Sequence, residues 1–293
     1  MGGVFSSTVK EENELLSQFG TTVDLKQFHK VRSGGNVRSL ISDLNTVATD
    51  IKGVKDKLQA PEGKTSHIIC NNYTDETNPL GSGPLFDCIT TADYLKHLGF
   101  TNYYIQNPTK DEYLKQMKYF LESHAEILIV YYSGRAESVV CSNGDPQADD
   151  GKDEALDFVD GKLFDEDLAK LLSSVQKPKT SKIILLNEFC HSGNPWDIKG
   201  TAFNEFDLPA NILVVSTRRT TDEFLTSDQS EDAGLFTFYL FRTLNDHQGL
   251  NLKELESKLN HYLAPHKQYM IKASTTPKMF TEPLLPVYVA PKK

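Results

Sequence analysis

Two short runs in this chain, Ile127–Tyr132 and Ile183–Leu186, are apolar at every position. A strand with one wet face alternates apolar and polar residues, whereas one that is apolar throughout is covered on both faces. Further strand-like runs occupy His67–Cys70, Tyr103–Gln106, Lys182–Leu186, Ile212–Ser216 and Pro286–Val289. Helix-like segments at Phe86–Leu98, Lys110–Ser123, Asp165–Ser174, Ala233–Leu244 and Leu252–Leu263 separate most of them. Strands alternating with helices predict an α/β fold, a mostly parallel sheet with helices on both faces. In such sheets the working groups sit just past the carboxyl ends of the strands.

Residues 1–60 read as an extension and residues 61–293 as the main domain. The first 35 residues are a polar arm. From Val37 to Leu58 apolar residues recur at three- and four-residue steps. That spacing predicts one helix of about six turns with a single apolar stripe. The stripe is expected to pack on its own domain; a partner helix is the other reading. Ala60-Pro61-Glu62-Gly63 then breaks the chain. The start, Met1-Gly2-Gly3-Val4-Phe5-Ser6, fits the pattern for acylation of Gly2. A flexible small-residue terminus fits it equally. One acyl chain gives only weak membrane attachment. No apolar run approaches the roughly 18–20 residues that span a bilayer, so no transmembrane segment is expected.

The formal charge is −9 at pH 7, with no strongly basic block, which argues against a nucleic-acid partner. The four cysteines, Cys70, Cys88, Cys141 and Cys190, form no CxxC pair. Reduced thiols and a cytoplasmic location are expected.

Two strand ends carry the chemistry. After Ile127–Tyr132 comes Ser133-Gly134-Arg135-Ala136; after Ile183–Leu186 comes Asn187-Glu188-Phe189-Cys190-His191-Ser192-Gly193. A cysteine at a strand exit, followed by small residues, can meet a substrate and backbone N–H donors. Taken alone, such a cysteine is more often a small core residue. His191 does not help it, because adjacent side chains in extended chain point to opposite faces.

Tyr131-Tyr132-Ser133-Gly134 resembles the metacaspase strand that ends Tyr-Ser-Gly-His-Gly. Glu188-Phe189-Cys190-His191-Ser192-Gly193 resembles that family's Asp-Cys-Cys-His-Ser-Gly. Between them, Asp149-Asp150-Gly151-Lys152-Asp153-Glu154-Ala155-Leu156 resembles Asp-Gly-x-Asp-Glu-Ala. Cys88-Ile89-Thr90-Thr91-Ala92 is similar to Cys-x-Asn-Asp-Ala, and Thr276-Pro277-Lys278 to Thr-Pro-Gln. The matches keep their order over roughly residues 65–290, and the ordered set is more specific than any one piece.

The resemblance implies a caspase-like three-layer fold around a six-stranded sheet. It also implies a Cys/His dyad, calcium activation and cleavage after Arg or Lys. Cys190 matches the nucleophile. Cys88, Ser133 and Glu188 match pocket-lining positions, and Thr91 stands where a second pocket aspartate belongs, so the pocket is expected to lose one of two charges. Arg135 matches the catalytic histidine. A guanidinium stays protonated near neutral pH and does not deliver a proton to a leaving amine. The family's calcium site draws on positions matched by Asp150, Asp153, Asp165, Glu166 and Asp197. Read from composition alone, Asp145–Asp167 is a solvated acidic loop. The leading expectation is therefore a cysteine-endopeptidase homologue with impaired activity, one that binds a peptide or protein substrate or pairs with an active relative. The alternatives are an active peptidase with a non-standard base and a membrane-associated interaction module. A guanidinium beside an acidic pocket is further expected to seek a carboxylate, with Glu188 the nearest candidate.

Overall fold

The computed structural model describes residues 37–53, 58, 61–74, 79–140, 152–175, 181–189, 195–196, 198, 207–219 and 234–287. Helix α1 (Val37–Val47) leads into the short edge strand β1 (Thr49–Asp50), then β2 (Glu62–Cys70), α2 (Gly83–His97) and β3 (Thr101–Gln106). Next come α3 (Lys110–Glu122), β4 (His124–Ser133), β5 (Ala136–Val140), β6 (Lys152–Phe158), β7 (Gly161–Phe164) and α4 (Asp165–Ser173). The remainder is β8 (Lys182–Glu188), β9 (Ile212–Arg219), α5 (Leu235–Asp246), α6 (Leu252–Leu263) and β10 (Gln268–Ser274).

The main sheet has seven strands in the order β1-β3-β2-β4-β8-β9-β10. Every pairing is parallel except β9 with β10. Alternate residues of its strands feed two cores. Ile68, Ile129, Tyr131, Ile184 and Leu186 pack with α1, α2, α5 and α6. Ile69, Leu128, Val130, Tyr132, Ile183 and Leu185 pack with α3 and α4 on the other face. Both uniformly apolar runs are thus central strands, as their composition predicts.

Helix α3 shows how local sequence sets a boundary. The Thr109 hydroxyl accepts the Glu112 N–H at 3.2 Å, and Glu112 accepts the Thr109 N–H at 2.9 Å. This reciprocal cap satisfies two backbone donors that the first turn leaves open. Thr109→Ala is expected to cost about 1 kcal/mol, measured as a lower urea midpoint with an unchanged slope.

Three expectations need correction. The helix predicted for Val37–Leu58 ends at Val47. Thr49 and Asp50 instead pair with Tyr103 and Tyr104. Ile51 is buried on the opposite face of the sheet from Leu40, Leu44 and Val47. The exit is local as well: Asp50 Oδ1 accepts the Lys52 N–H at 2.8 Å, and Gly53 turns the chain with φ +75°. The helix packs on its own domain, against α2 and the sheet.

The last strand of the sheet is Gln268–Ser274, not Pro286–Val289. Pro286 and Val287 lie in no strand, and residues 288–289 fall outside the described residues. Thr49–Asp50 adds a further strand, so among the described residues the sheet has seven strands rather than six. Finally, the acidic stretch is not all loop. Residues 152–158 pair with β5 on one side and with residues 161–164 on the other, in a second, antiparallel sheet. Ala136, Leu156, Phe158 and Leu163 supply the side that joins the core.

Candidate active site

The carboxyl ends of the central strands finish level. Gln106 pairs with Cys70, Cys70 with Ser133, and Ser133 with Glu188. The chain leaving each of these strands therefore enters one shared rim.

Arg135 leaves this rim two residues after Ser133, and its backbone is held on both sides. Its N–H donates to the Tyr73 hydroxyl at 3.0 Å. Its carbonyl accepts the Tyr132 hydroxyl at 2.7 Å and the Asp157 N–H at 3.0 Å. The guanidinium carbon lies 4.4 Å from the centre of the Tyr73 ring, a cation–π stack. Gly134 makes this approach feasible. A Cβ there would lie 2.8 Å from Asn71 Cβ and 2.9 Å from the Tyr132 hydroxyl oxygen.

Asp157, on β6, completes the surroundings of Arg135. Its carbonyl accepts from Tyr132 Oη at 2.8 Å, Tyr73 Oη at 2.9 Å and Asn71 Nδ2 at 3.1 Å. Its carboxyl is pushed up to about 6, first by burial and then by the neighbouring Glu137; Lys162 and Arg135 pull the other way.

Two buried carboxylates lie on the opposite face. Glu188 is 7% exposed, and its Oε2 accepts the Thr237 N–H at 2.7 Å and the Thr237 hydroxyl at 2.9 Å. Thr237 Oγ1 also meets Tyr131 Oη at 2.5 Å. Beside it stands Asp87, 3% exposed, a residue that the sequence motifs did not single out. Asp87 accepts the Ser133 hydroxyl at 2.9 Å and the Gly234 N–H at 2.6 Å. A Cβ on Gly234 would overlap the Glu188 carboxyl. The amino end of α5 thus lies against both carboxylates, the end of a helix that favours negative charge.

Thr91 turns out to be fully buried, and its hydroxyl has no hydrogen-bond partner among the described residues. The carboxylate that α2 places against Ser133 and Gly234 belongs to Asp87 instead. Asp87 lies one helical turn before Thr91, on the same face of α2, and supplies a second carboxylate. The spacing of four was the available signal; the motif alignment pointed past it. Cys88 is fully buried, with Sγ 3.8 Å from the Ile69 carbonyl oxygen. Burial and the neighbouring Cys70 push its thiol up.

The contacts of Arg135 include Tyr73, Tyr132 and Asp157, and those of Glu188 include Thr237 on the other face. Of the histidines, His67 sits in mid-sheet and His124 begins β4 at the far end. Neither reaches the rim.

Cys190, Asp150, Asp197 and Gly2 lie outside the described residues, as does the side chain of Asp153. The flanks of Cys190 are placed. The Phe189 carbonyl accepts the Thr217 hydroxyl at 3.4 Å, and Trp196 donates its indole N–H to Asn187 Oδ1 at 3.3 Å. The chain thus returns to the tip of β8 within a few residues of Cys190. Asp165 and Glu166 open α4. Asp165 accepts the N–H groups of Glu166 at 3.2 Å and Glu154 at 3.4 Å. These are oxygen donors of the kind calcium takes. Among the described residues, no three His, Cys, Asp or Glu side chains gather in a metal-binding group. A cavity of about 510 Å³ opens near the β3 end of the rim, lined by Lys52, Thr74, Gln106 and Asn107 among others.

No helix among the described residues is long and apolar enough to cross a membrane. No curated protein sequence matches the chain. Its fold resembles that of a Geobacter sulfurreducens protein of solved structure, with TM-score 0.58 and 18% identity over 78% of this chain and 100% of that one. It also resembles the Drosophila initiator caspase Dronc, with TM-score 0.53 and 15% identity over 78% and 84%. Caspase-1 from Spodoptera frugiperda gives TM-score 0.53 and 14% identity over 75% and 90%. The caspase domain profile matches residues 64–285. A match over that much of the chain, on a sheet whose central strand ends carry Ser133, Arg135 and Glu188, places this protein in the caspase-domain family of peptidases, C14.

Proposed function

We propose that the chain is a metacaspase-like member of this family that keeps the nucleophile position, Cys190, and an acidic substrate pocket but hydrolyses peptide bonds poorly. The observation that carries this reading is Arg135. It stands at the β4 exit, where the family resemblance places the histidine, with its backbone tied to Tyr73, Tyr132 and Asp157. Amide cleavage needs a group that takes a proton from the thiol and returns it to the leaving amine. A guanidinium can favour a thiolate by its charge but does not complete that cycle. The role left is binding: a peptide or protein segment with Arg or Lys, or an active relative of this chain. Glu188 and Asp87 are the carboxylates suited to a basic side chain, and the amino end of α5 competes with it for them.

Calcium belongs to the same reading, with Asp150, Asp153, Asp165, Glu166 and Asp197 to hold it. A bound ion would tie the acidic strand region to the segment after Cys190 and raise the unfolding temperature in proportion to ln(1 + [Ca]/Kd).

The test is a peptide-reporter assay with calcium present, on the natural protein beside Cys190→Ala and Asp87→Asn. The natural protein is expected to leave Arg and Lys reporters uncut. It is also expected to bind an Arg peptide more tightly than its citrulline counterpart, and Asp87→Asn should weaken that binding about tenfold, as loss of one charge-assisted contact does. Rapid cleavage that Cys190→Ala abolishes would sink the reading. A second reading keeps activity with a non-standard base. Asp157 favours it, since its carboxyl titrates near neutrality and feels the Arg135 charge. Cleavage lost in Asp157→Asn would establish that alternative. Membrane attachment through Gly2 is a separate question, settled by whether Gly2→Ala changes partitioning to vesicles.

A further inference from the structure

We infer that Tyr73 is the positioning residue for whatever side chain stands at 135, setting its backbone through the hydroxyl and its side chain through the ring. The inference rests on the proposed role of position 135 and adds the residue that controls it.

The starting observation is conformational. Tyr73 has φ +53°, a left-handed backbone seldom adopted by residues with large side chains. Such outliers persist only where their surroundings over-determine them, and they gather at functional sites. Here the surroundings are explicit. The N–H groups of Asn72 and Tyr73 both donate to Asn107 Oδ1 at 3.0 Å. The Asn107 amide then donates to Asn72 Oδ1 at 2.8 Å. Asn107 is itself left-handed, with φ +46°. Two unfavourable backbone conformations at adjacent strand exits are thus locked together by side-chain amides.

The result of this arrangement is the placement of one phenol. Tyr73 is 1% exposed, yet its hydroxyl works in both directions. It accepts the Arg135 N–H at 3.0 Å and donates to the Asp157 carbonyl at 2.9 Å. Its ring lies under the guanidinium at 4.4 Å. Burial keeps the phenol protonated by pushing its titration far above the ordinary range, so it remains a donor to Asp157 at all working pH. A phenylalanine would fill the same space and keep the ring. It would leave the Arg135 N–H without its acceptor and remove one of the three donors to the Asp157 carbonyl. A core packing role needs the ring alone; the hydroxyl is the part that fixes position 135. An imidazole at 135 would inherit the same backbone anchor.

The test uses the full chain in two arms. In the first, amide hydrogen exchange and the side-chain Nε–Hε resonance of Arg135 are followed by NMR in the natural protein, Tyr73→Phe and Tyr73→Leu. Tyr73→Phe is expected to speed exchange at the Arg135 amide at least tenfold while keeping the ring-current shift of its side chain. Tyr73→Leu should lose both. In the second arm, Tyr73→Phe is combined with Arg135→His. A tenfold fall in kcat with KM within twofold is expected, with a displaced acid limb in the pH profile. Unchanged Arg135 exchange and shift in a folded Tyr73→Leu overturns the inference. So does an unchanged kcat in the second arm. If Arg135→His has no activity, the first arm still decides the role of Tyr73, and only the proposed function fails.

Discussion

Arg135→His is expected to give measurable cysteine-peptidase activity to a chain that we propose hydrolyses peptide bonds poorly. Reporter cleavage after Arg or Lys should rise by at least about a hundredfold, the low end of what a positioned acid–base group contributes. The gain should vanish in Arg135→His combined with Cys190→Ala. The physical basis is that the backbone at 135 does not depend on the guanidinium. The Arg135 N–H and carbonyl are held by Tyr73, Tyr132 and Asp157, so a different side chain starts from the same place. Imidazole exchanges its proton near pH 6.5, where a guanidinium does not. Activity in the variant should therefore rise with pH through a limb near that value, and any trace activity of the natural protein should lack this limb. Equal rates for the two proteins, both dependent on Cys190, would remove the argument from the missing imidazole.

The second large effect concerns stability. Below neutral pH the protein should lose stability because of His67. This ring is fully buried, stacked on Phe120 with centroids 4.4 Å apart, and bonded to Gln116 Oε1 at 3.1 Å. Burial lowers its titration from 6.5 to about 4, against the opposing pull of the Gln116 bond. In the folded chain the ring is neutral at pH 5; in the unfolded chain it would bind a proton there. Stability is thus fully present above pH 6.5, falls as pH drops from 6.5 to about 4, and is lost below, for a total of about 3 kcal/mol. Urea titrations at pH 7 and pH 5 check this. The natural protein should lose about 2 kcal/mol more over that interval than His67→Phe does. Parallel losses in the two proteins would show that another group governs the acid response.

Much of the architecture was legible for a simple reason. Ile127–Tyr132 and Ile183–Leu186 carry no polar residue, and only the middle of a doubly covered sheet accepts such runs. Helix α6 begins at the predicted residue, Leu252, because Asn251 and Glu254 write a capping box into the sequence. Gln268–Ser274 escaped notice because an edge strand of mixed polarity has no comparable signature. Lys272 and Gln268 sit among its apolar residues, and its register comes from pairing with β9. Thr49–Asp50 was hidden differently. Its neighbours continue a helical spacing, and only the open edge of β3 draws the chain into the sheet.

The site divides along the same line. Sequence alone named Cys190, Ser133, Glu188 and the exchanged Arg135, because ordered motifs mark strand ends and strand ends of a parallel sheet converge. Tertiary structure decided what surrounds them. Asp87 meets Ser133 because α2 lays that turn beside it, and no local pattern encodes which turn will face a strand end. Tyr73 and Asp157 reach Arg135 from β2 and β6, elements 62 and 22 positions away in sequence from it (135 − 73 and 157 − 135). Their hydrogen bonds exist only once two sheets are assembled, and it is that assembly, rather than any motif, that fixes where the guanidinium stands.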